Sequence, residues 1–132
     1  MTTLAGLLVC AAVLEGLAGM VLILAPGVAI VLLFGEAPGT TASMVGRLAG
    51  IALLSLGIAC WGAHADEAGS ARTSTVRGIT LYNAGAGVLL IAVATMWSSA
   101  GVVTWIAGIL HLGLAAAFAE KSIWETHQSA HS

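Results

Sequence analysis

Charge is what this chain has least of: Asp, Glu, Lys and Arg make up 8% of its 132 residues, where an ordinary soluble domain carries roughly a quarter. The four Lys and Arg residues form no cluster and the formal net charge is -2, which leaves no footprint for nucleic acid and no argument for a strongly acidic or basic partner. Cysteine is equally scarce. Cys10 and Cys60 each lie inside a hydrophobic run, without C-x-x-C or Cys/His spacing, so neither a disulfide framework nor a zinc site is supported and both read as small apolar packing residues. The chain also lacks a phosphate-binding glycine loop, an H-E-x-x-H pair and a Ser/His/Asp set.

What remains is apolar. Hydrophobic residues make up 59% of the sequence and the mean hydropathy is +1.03, more than a soluble core needs. Apolar runs of about 18 or more residues read as membrane-spanning helices, because roughly 20 residues at about 1.5 Å each cover a hydrocarbon core of about 30 Å. Four such runs occur, at about 4–25, 41–63, 76–97 and 101–119. They predict an all-α, four-helix integral membrane bundle within residues 1–121, followed by a polar C-terminal tail at 122–132 containing His127 and His131 and read as frayed. A β-barrel is excluded, since it needs short alternating segments. The first run resembles a secretion signal in position alone: it has no basic flank, is too long, and carries Glu15 in its middle, so it is expected to be a permanent helix.

Arg72 and Arg77 flank the middle connection and Lys121 follows the fourth run, whereas the opposite face has only Arg47, inside the second run. The positive-inside rule then places both termini in the cytoplasm of a cell with an inner (plasma) membrane. The tryptophans agree, with Trp61 and Trp124 at the predicted cytoplasmic ends and Trp97 and Trp105 at or near the other. Between the first two runs, Val28 to Phe34 is apolar but too short to span, enclosed by Pro26-Gly27 and by Gly35 to Gly39 with Pro38; it predicts a short interfacial helix. The stretch from His64 to Thr75 has no periodicity and reads as a solvated connection. The break at Ser98 to Gly101 is so short that the third and fourth helices must form an antiparallel hairpin.

Lipid gives no reward for burying Leu against Leu, so helices in a membrane associate through small residues and polar contacts. The 17 glycines supply the first. Gly46, Gly50 and Gly57 form a stripe on the second helix, Gly16 and Gly19 lie on the first, and Gly108 on the fourth, which predicts close packing within the chain or between chains. The faint echo between Gly16-Leu17-Ala18-Gly19 and Arg47-Leu48-Ala49-Gly50 reads as composition.

The polar contacts come from Glu15, Arg47, Asn83 and His111. Counting about 1.5 Å per residue, Glu15 and His111 fall near the midplane, Asn83 somewhat to the cytoplasmic side, and Arg47 about 5 to 10 Å below the outer surface. Both Glu15 and His111 sit among small residues, Ala11, Ala12, Ala18 and Gly19 for the first and Ala107, Gly108 and Ala115 for the second. They are expected to point inward and to hydrogen-bond or share a proton, with Arg47 as the alternative partner of Glu15. Three readings compete: a hydrogen-bond network that fixes helix register, a proton or small-ligand site in which Asn83 or Tyr82 orients the Glu15–His111 pair, and a catalytic or redox-metal site. For metal the donors are too few, and Met20, Met44 and Met96, though thioethers suit Cu(I), serve equally as filler. The sequence requires no cofactor.

In length, helix number and scarcity of loops the chain resembles the small four-helix bacterial inner-membrane families, including DoxX-like proteins, some of which serve as membrane subunits of quinone-linked oxidoreductases. The segment from Arg47-Leu48-Ala49-Gly50 to Trp61, the Tyr82-Asn83 pair and the stretch from Trp105 to His111 are similar to bacterial proteins described as uncharacterised membrane proteins. The resemblance implies a bundle fold and transfers no site residue. From small size and glycine stripes, the first expectation is a non-catalytic membrane subunit or accessory protein, packed against other membrane subunits or copies of itself in the lipid bilayer. The alternative is a small proton-coupled carrier or ligand-binding bundle with a midplane site at Glu15 and His111. An enzyme is disfavoured because its reactive groups would have to come from that same sparse set.

Overall fold

A computed structural model describes residues 3–66 and 69–129, and among them every regular element is helical. The helices are α1 (Leu4–Leu24), α2 (Pro26–Phe34), α3 (Thr40–Ala63), α4 (Ser70–Met96) and α5 (Val102–Ser129). Four are long and apolar enough to cross a membrane: α1, α3, α4 and the Val102–Trp124 part of α5.

Local chemistry sets the ends. The Thr3 hydroxyl accepts the Gly6 N–H at 3.1 Å and caps α1. Pro26 opens α2 at a position where its missing N–H does no harm. Gly35 closes α2 with φ at +75°, in the left-handed region, and its Cα lies against the Ser99 backbone, where a Cβ would come within 2.8 Å of the carbonyl carbon. In the α3–α4 loop, Asp66 Oδ1 accepts the Gly69 N–H at 3.1 Å, and Arg72 Nη1 donates to the Asp66 carbonyl at 3.3 Å.

That loop is shorter than hydropathy predicts. α4 begins at Ser70, not near Val76, because Ser70 to Thr75 are polar yet helix-compatible and Gly69 provides the start. For the same reason α5 does not stop at Ala119 but runs to Ser129, so His127 lies in a helix; His131 falls outside the described residues. The short apolar stretch is helical as expected, beginning at Pro26 rather than Val28.

Two antiparallel pairs, α1 with α3 and α4 with α5, make the closest helix contacts. Around the bundle the neighbours run α1, α3, α4, α5 and back to α1, so α1 looks at α4 across the middle. In the first pair the backbones touch. A Cβ on Gly50 would lie 2.7 Å from the Gly19 carbonyl oxygen, one on Gly19 would lie 2.7 Å from that of Gly50, and one on Gly57 would lie 3.0 Å from that of Ala12. In the second pair each glycine receives both side chain and backbone of a large residue: a Cβ on Gly87 would lie 2.7 Å from Leu112 Cγ and 3.0 Å from its backbone nitrogen, and one on Gly108 would lie 2.8 Å from Ile91 Cδ1 and 3.3 Å from its backbone nitrogen. Gly19, Gly46, Gly50, Gly57 and Gly108 lie at contacts inside the chain; a Cβ on Gly16 would meet nothing within 4 Å, although the Gly16 backbone lies beside Gly57, whose Cβ would come 3.1 Å from its nitrogen.

The two ends of the bundle close differently. Every large apolar side chain that is fully buried among the described residues, Leu8, Ile79 and Phe118, lies toward the end that carries the α3–α4 loop. At the other end α2 folds back as a plug. Its Pro26 and Ile30 sit against Gly46, the Ser99 hydroxyl donates to the Phe34 carbonyl at 2.9 Å, the Thr104 hydroxyl donates to the Leu33 carbonyl, and the Phe34 and Trp97 rings meet edge-on at 5.9 Å.

Replacing Gly50 with Ala is expected to force α1 and α3 apart and lower stability by about 1–3 kcal/mol. Gly62→Ala, where a Cβ meets nothing within 4 Å, is the control. Denaturant midpoints of the detergent-purified variants check this, and equal midpoints for the two would contradict the backbone contact.

Candidate functional site

Glu15 occupies a core position by helical spacing. The buried residues of α1 are Leu4, Leu7, Leu8, Ala11, Ala12, Glu15 and Gly19, a single stripe in which the carboxyl comes just above the apolar core. It is 2% exposed, and its Oε1 is buried without a hydrogen-bond partner. A buried polar atom left unsatisfied costs about 1–3 kcal/mol, so such an atom calls for an explanation.

Across the bundle, Tyr82 of α4 turns its hydroxyl toward the Glu15 carboxyl without closing a hydrogen bond of good geometry. The same tyrosine ring packs edge-on against His111 of α5, with centroids 5.7 Å apart and planes at 85°. His111 Nδ1 lies 2.8 Å from Asn83 Oδ1, and Asn83 Nδ2 donates to the Ile79 carbonyl, one turn back on α4, at 2.9 Å. Asn83 is fully buried, in line with Val76, Ile79 and Gly87; His111 is half-buried, in line with Thr104, Gly108, Ala115 and Phe118. The polar residues therefore face inward because the small and apolar residues at the same helical spacing do.

The arrangement differs from the sequence expectation in its connections. Glu15 and His111 do not pair directly: no ion pair or hydrogen bond joins them among the described residues, and Tyr82 stands beside both. Arg47 is not the partner of Glu15 either. It is exposed on α3, next to Gly46 which faces α2, and forms no ion pair among the described residues. Cys60 is the residue that sequence reasoning assigned to packing alone. It does pack in the apolar core, fully buried, but it also lies within electrostatic range of Glu15, so each of the four long helices sends at least one polar or polarisable group to this region. Its spacing from Gly46, Gly50 and Gly57 on the buried stripe of α3 was the available signal.

Among the described residues no group of three or more His, Cys, Asp or Glu side chains is placed to hold a metal ion. Met20, Met44 and Met96 are all exposed. A shallow groove between α1 and α3, lined by Val13, Gly16, Gly57, Ile58 and Trp61, opens on the outside of the bundle and is almost wholly apolar. Searches against protein-family models, curated proteins and solved structures find no match to this chain.

Chemically, the cluster joins an acid with a free oxygen, a phenol that reaches both sides, and an imidazole held by an amide. Such a set can store a proton and pass it over a short distance, provided that a water or a hydroxyl completes the bridge. The unpartnered carboxyl also makes a stability prediction. Glu15→Leu is expected to leave the folded state as stable or more so, whereas Asn83→Leu, which removes two made hydrogen bonds, is expected to lower stability by about 1–3 kcal/mol. Thermal unfolding in detergent separates the two; a large loss in Glu15→Leu would mean that the carboxyl is structural.

Proposed function

We propose that this protein is a small proton-coupled membrane bundle whose working site is the Glu15, Tyr82, Asn83 and His111 cluster. The observation that carries the reading is the buried Glu15 Oε1 with no hydrogen-bond partner, in a cluster where Asn83 holds His111. A network present only to fix helix register satisfies its own members, because each unsatisfied group weakens it. An open acceptor beside a phenol and an imidazole is what a site that takes up and releases a proton requires. In this proposal the bundle spans the inner membrane, the loop end and both termini face the cytoplasm by the placement of Arg72, Arg77 and Lys121, and α2 lies on the outer side. Its helix number and short connections keep kinship with the small four-helix bacterial inner-membrane proteins within the proposal.

A second reading, a non-catalytic subunit packed against other membrane chains or copies of itself, draws on different residues. Gly78 and Gly85 are exposed on α4, and a Cβ on either would meet nothing within 4 Å. That face would admit another helix closely. It competes with the first reading for the role of the chain, and does not account for the open carboxyl.

Proteoliposomes holding a pH-sensitive dye and energised by a potassium diffusion potential decide between them. The wild type is expected to acidify the lumen faster than protein-free vesicles, and Glu15→Gln and His111→Ala to slow this by about tenfold or more with helical content retained. Flux no higher than in empty vesicles, together with stoichiometric foreign chains in gently extracted native protein, would favour the accessory subunit.

A further inference from the structure

The two hydrogen bonds of Asn83 determine something about His111 that neither residue shows alone. A carboxamide has one donating end and one accepting end. The end of Asn83 that faces the Ile79 carbonyl, at 2.9 Å, must be the amino group, because a carbonyl oxygen placed there would meet another oxygen with no hydrogen between them. The end that faces His111 Nδ1, at 2.8 Å, is therefore Oδ1, which accepts and cannot donate. The imidazole nitrogen opposite it must carry the hydrogen. In a neutral ring the proton on Nδ1 leaves Nε2 bare, as a lone-pair acceptor.

The amide is itself held firmly. Asn83 is fully buried, and its donor is tied to its own helix, so it cannot exchange ends without breaking the bond to Ile79 and presenting its amino group to the ring. The Tyr82 ring, edge-on to His111 at 85°, limits rotation of the imidazole from a second direction. Among the described residues no second hydrogen bond to the imidazole is present.

We propose that Asn83 is a positioning residue that locks His111 in the Nδ1–H tautomer, so that Nε2 is the ring atom that accepts a proton. The significance of the lock rests on the proton-coupled reading above; the lock itself rests on hydrogen-bond polarity. With Nε2 bare and Glu15 Oε1 unpartnered, both titratable members of the cluster present acceptors. A species that bonds to either atom must bring hydrogen, which water or its protonated form does and an anion or an acceptor-only ligand does not. The accepted proton forms a bond to Nε2 and breaks one in its donor, and the imidazolium so made keeps its Nδ1–H bond to Asn83, so the amide does not need to turn during the cycle.

Nitrogen-15 NMR of histidine-labelled protein in bilayers, at a pH where the ring is neutral, tests this, with the His111 signals assigned by their absence from His111→Gln. The wild type is expected to show a protonated Nδ1 and an unprotonated Nε2 at His111. Asn83→Leu is expected to shift the ring to a mixture of tautomers or to the Nε2–H form. An Nε2–H ring in the wild type overturns the proposal even if Asn83→Leu fails to fold, and so does an Nδ1–H ring that persists unchanged in a folded Asn83→Leu. The failure of the functional reading looks different: a locked tautomer with proton flux absent, or untouched by Glu15→Gln, leaves the lock standing and removes the carrier.

Discussion

The contact between the backbones of Gly19 and Gly50 is the constraint on which the rest of the bundle depends. In an apolar solvent, helices gain little from setting oil against oil, and association rests on how closely two backbones approach. With no side chain at either position, α1 and α3 come into direct backbone contact, and Gly57 extends the contact toward Ala12. That approach fixes the rotation of α1 about its axis. Since Gly19, Glu15, Ala12 and Leu8 share one face, the rotation that serves the glycines also delivers the carboxyl to the middle of the bundle.

The second pair of helices is built otherwise. Leu112 lies over Gly87 and Ile91 over Gly108, each with its side chain and its backbone nitrogen, so α4 and α5 meet through large residues set on glycines. Within this pair Asn83 of α4 reaches His111 of α5, and Tyr82 leans on the same ring. The polar cluster thus lies where the α1–α3 pair faces the α4–α5 pair. Neither pair alone brings an acid, a phenol and an imidazole together; their docking does.

Much of this was legible in the residue order, and the limits have physical causes. Hydropathy located four long helices, but it measures oil and not helicity, so it lost Ser70 to Thr75 and the residues beyond Ala119, which continue helices into polar sequence. Polar residues in apolar runs exposed Glu15, Asn83 and His111 as the candidates. Their partners were not legible, because a hydrogen bond depends on the offset between neighbouring helices, which no single helix encodes; hence the expected Glu15–His111 pair gave way to His111 with Asn83. Arg47 is a different case. It is one residue from Gly46, or about 100° around the helix, so the stripe that turned Gly46 and Gly50 inward already turned Arg47 away. Cys60, on that same stripe, was hidden by the habit of treating a thiol in oil as filler.

Ser99 and Thr104 hold α2 through hydroxyl groups that donate to the carbonyls of Phe34 and Leu33, while Leu8, Ile79 and Phe118 close the opposite end with oil. Water competes for a hydroxyl–carbonyl bond on nearly equal terms, because it offers the same bond to each partner. It has nothing comparable to offer a packed phenyl ring. Wetting therefore acts on the exposed Ser99 bond and leaves the buried Thr104 bond and the oily end shut. In the proposed membrane placement, lipid thickness and immersion depth, which set how far water reaches along a helix, become quantities to which the Ser99 fastening responds and the oily end is blind.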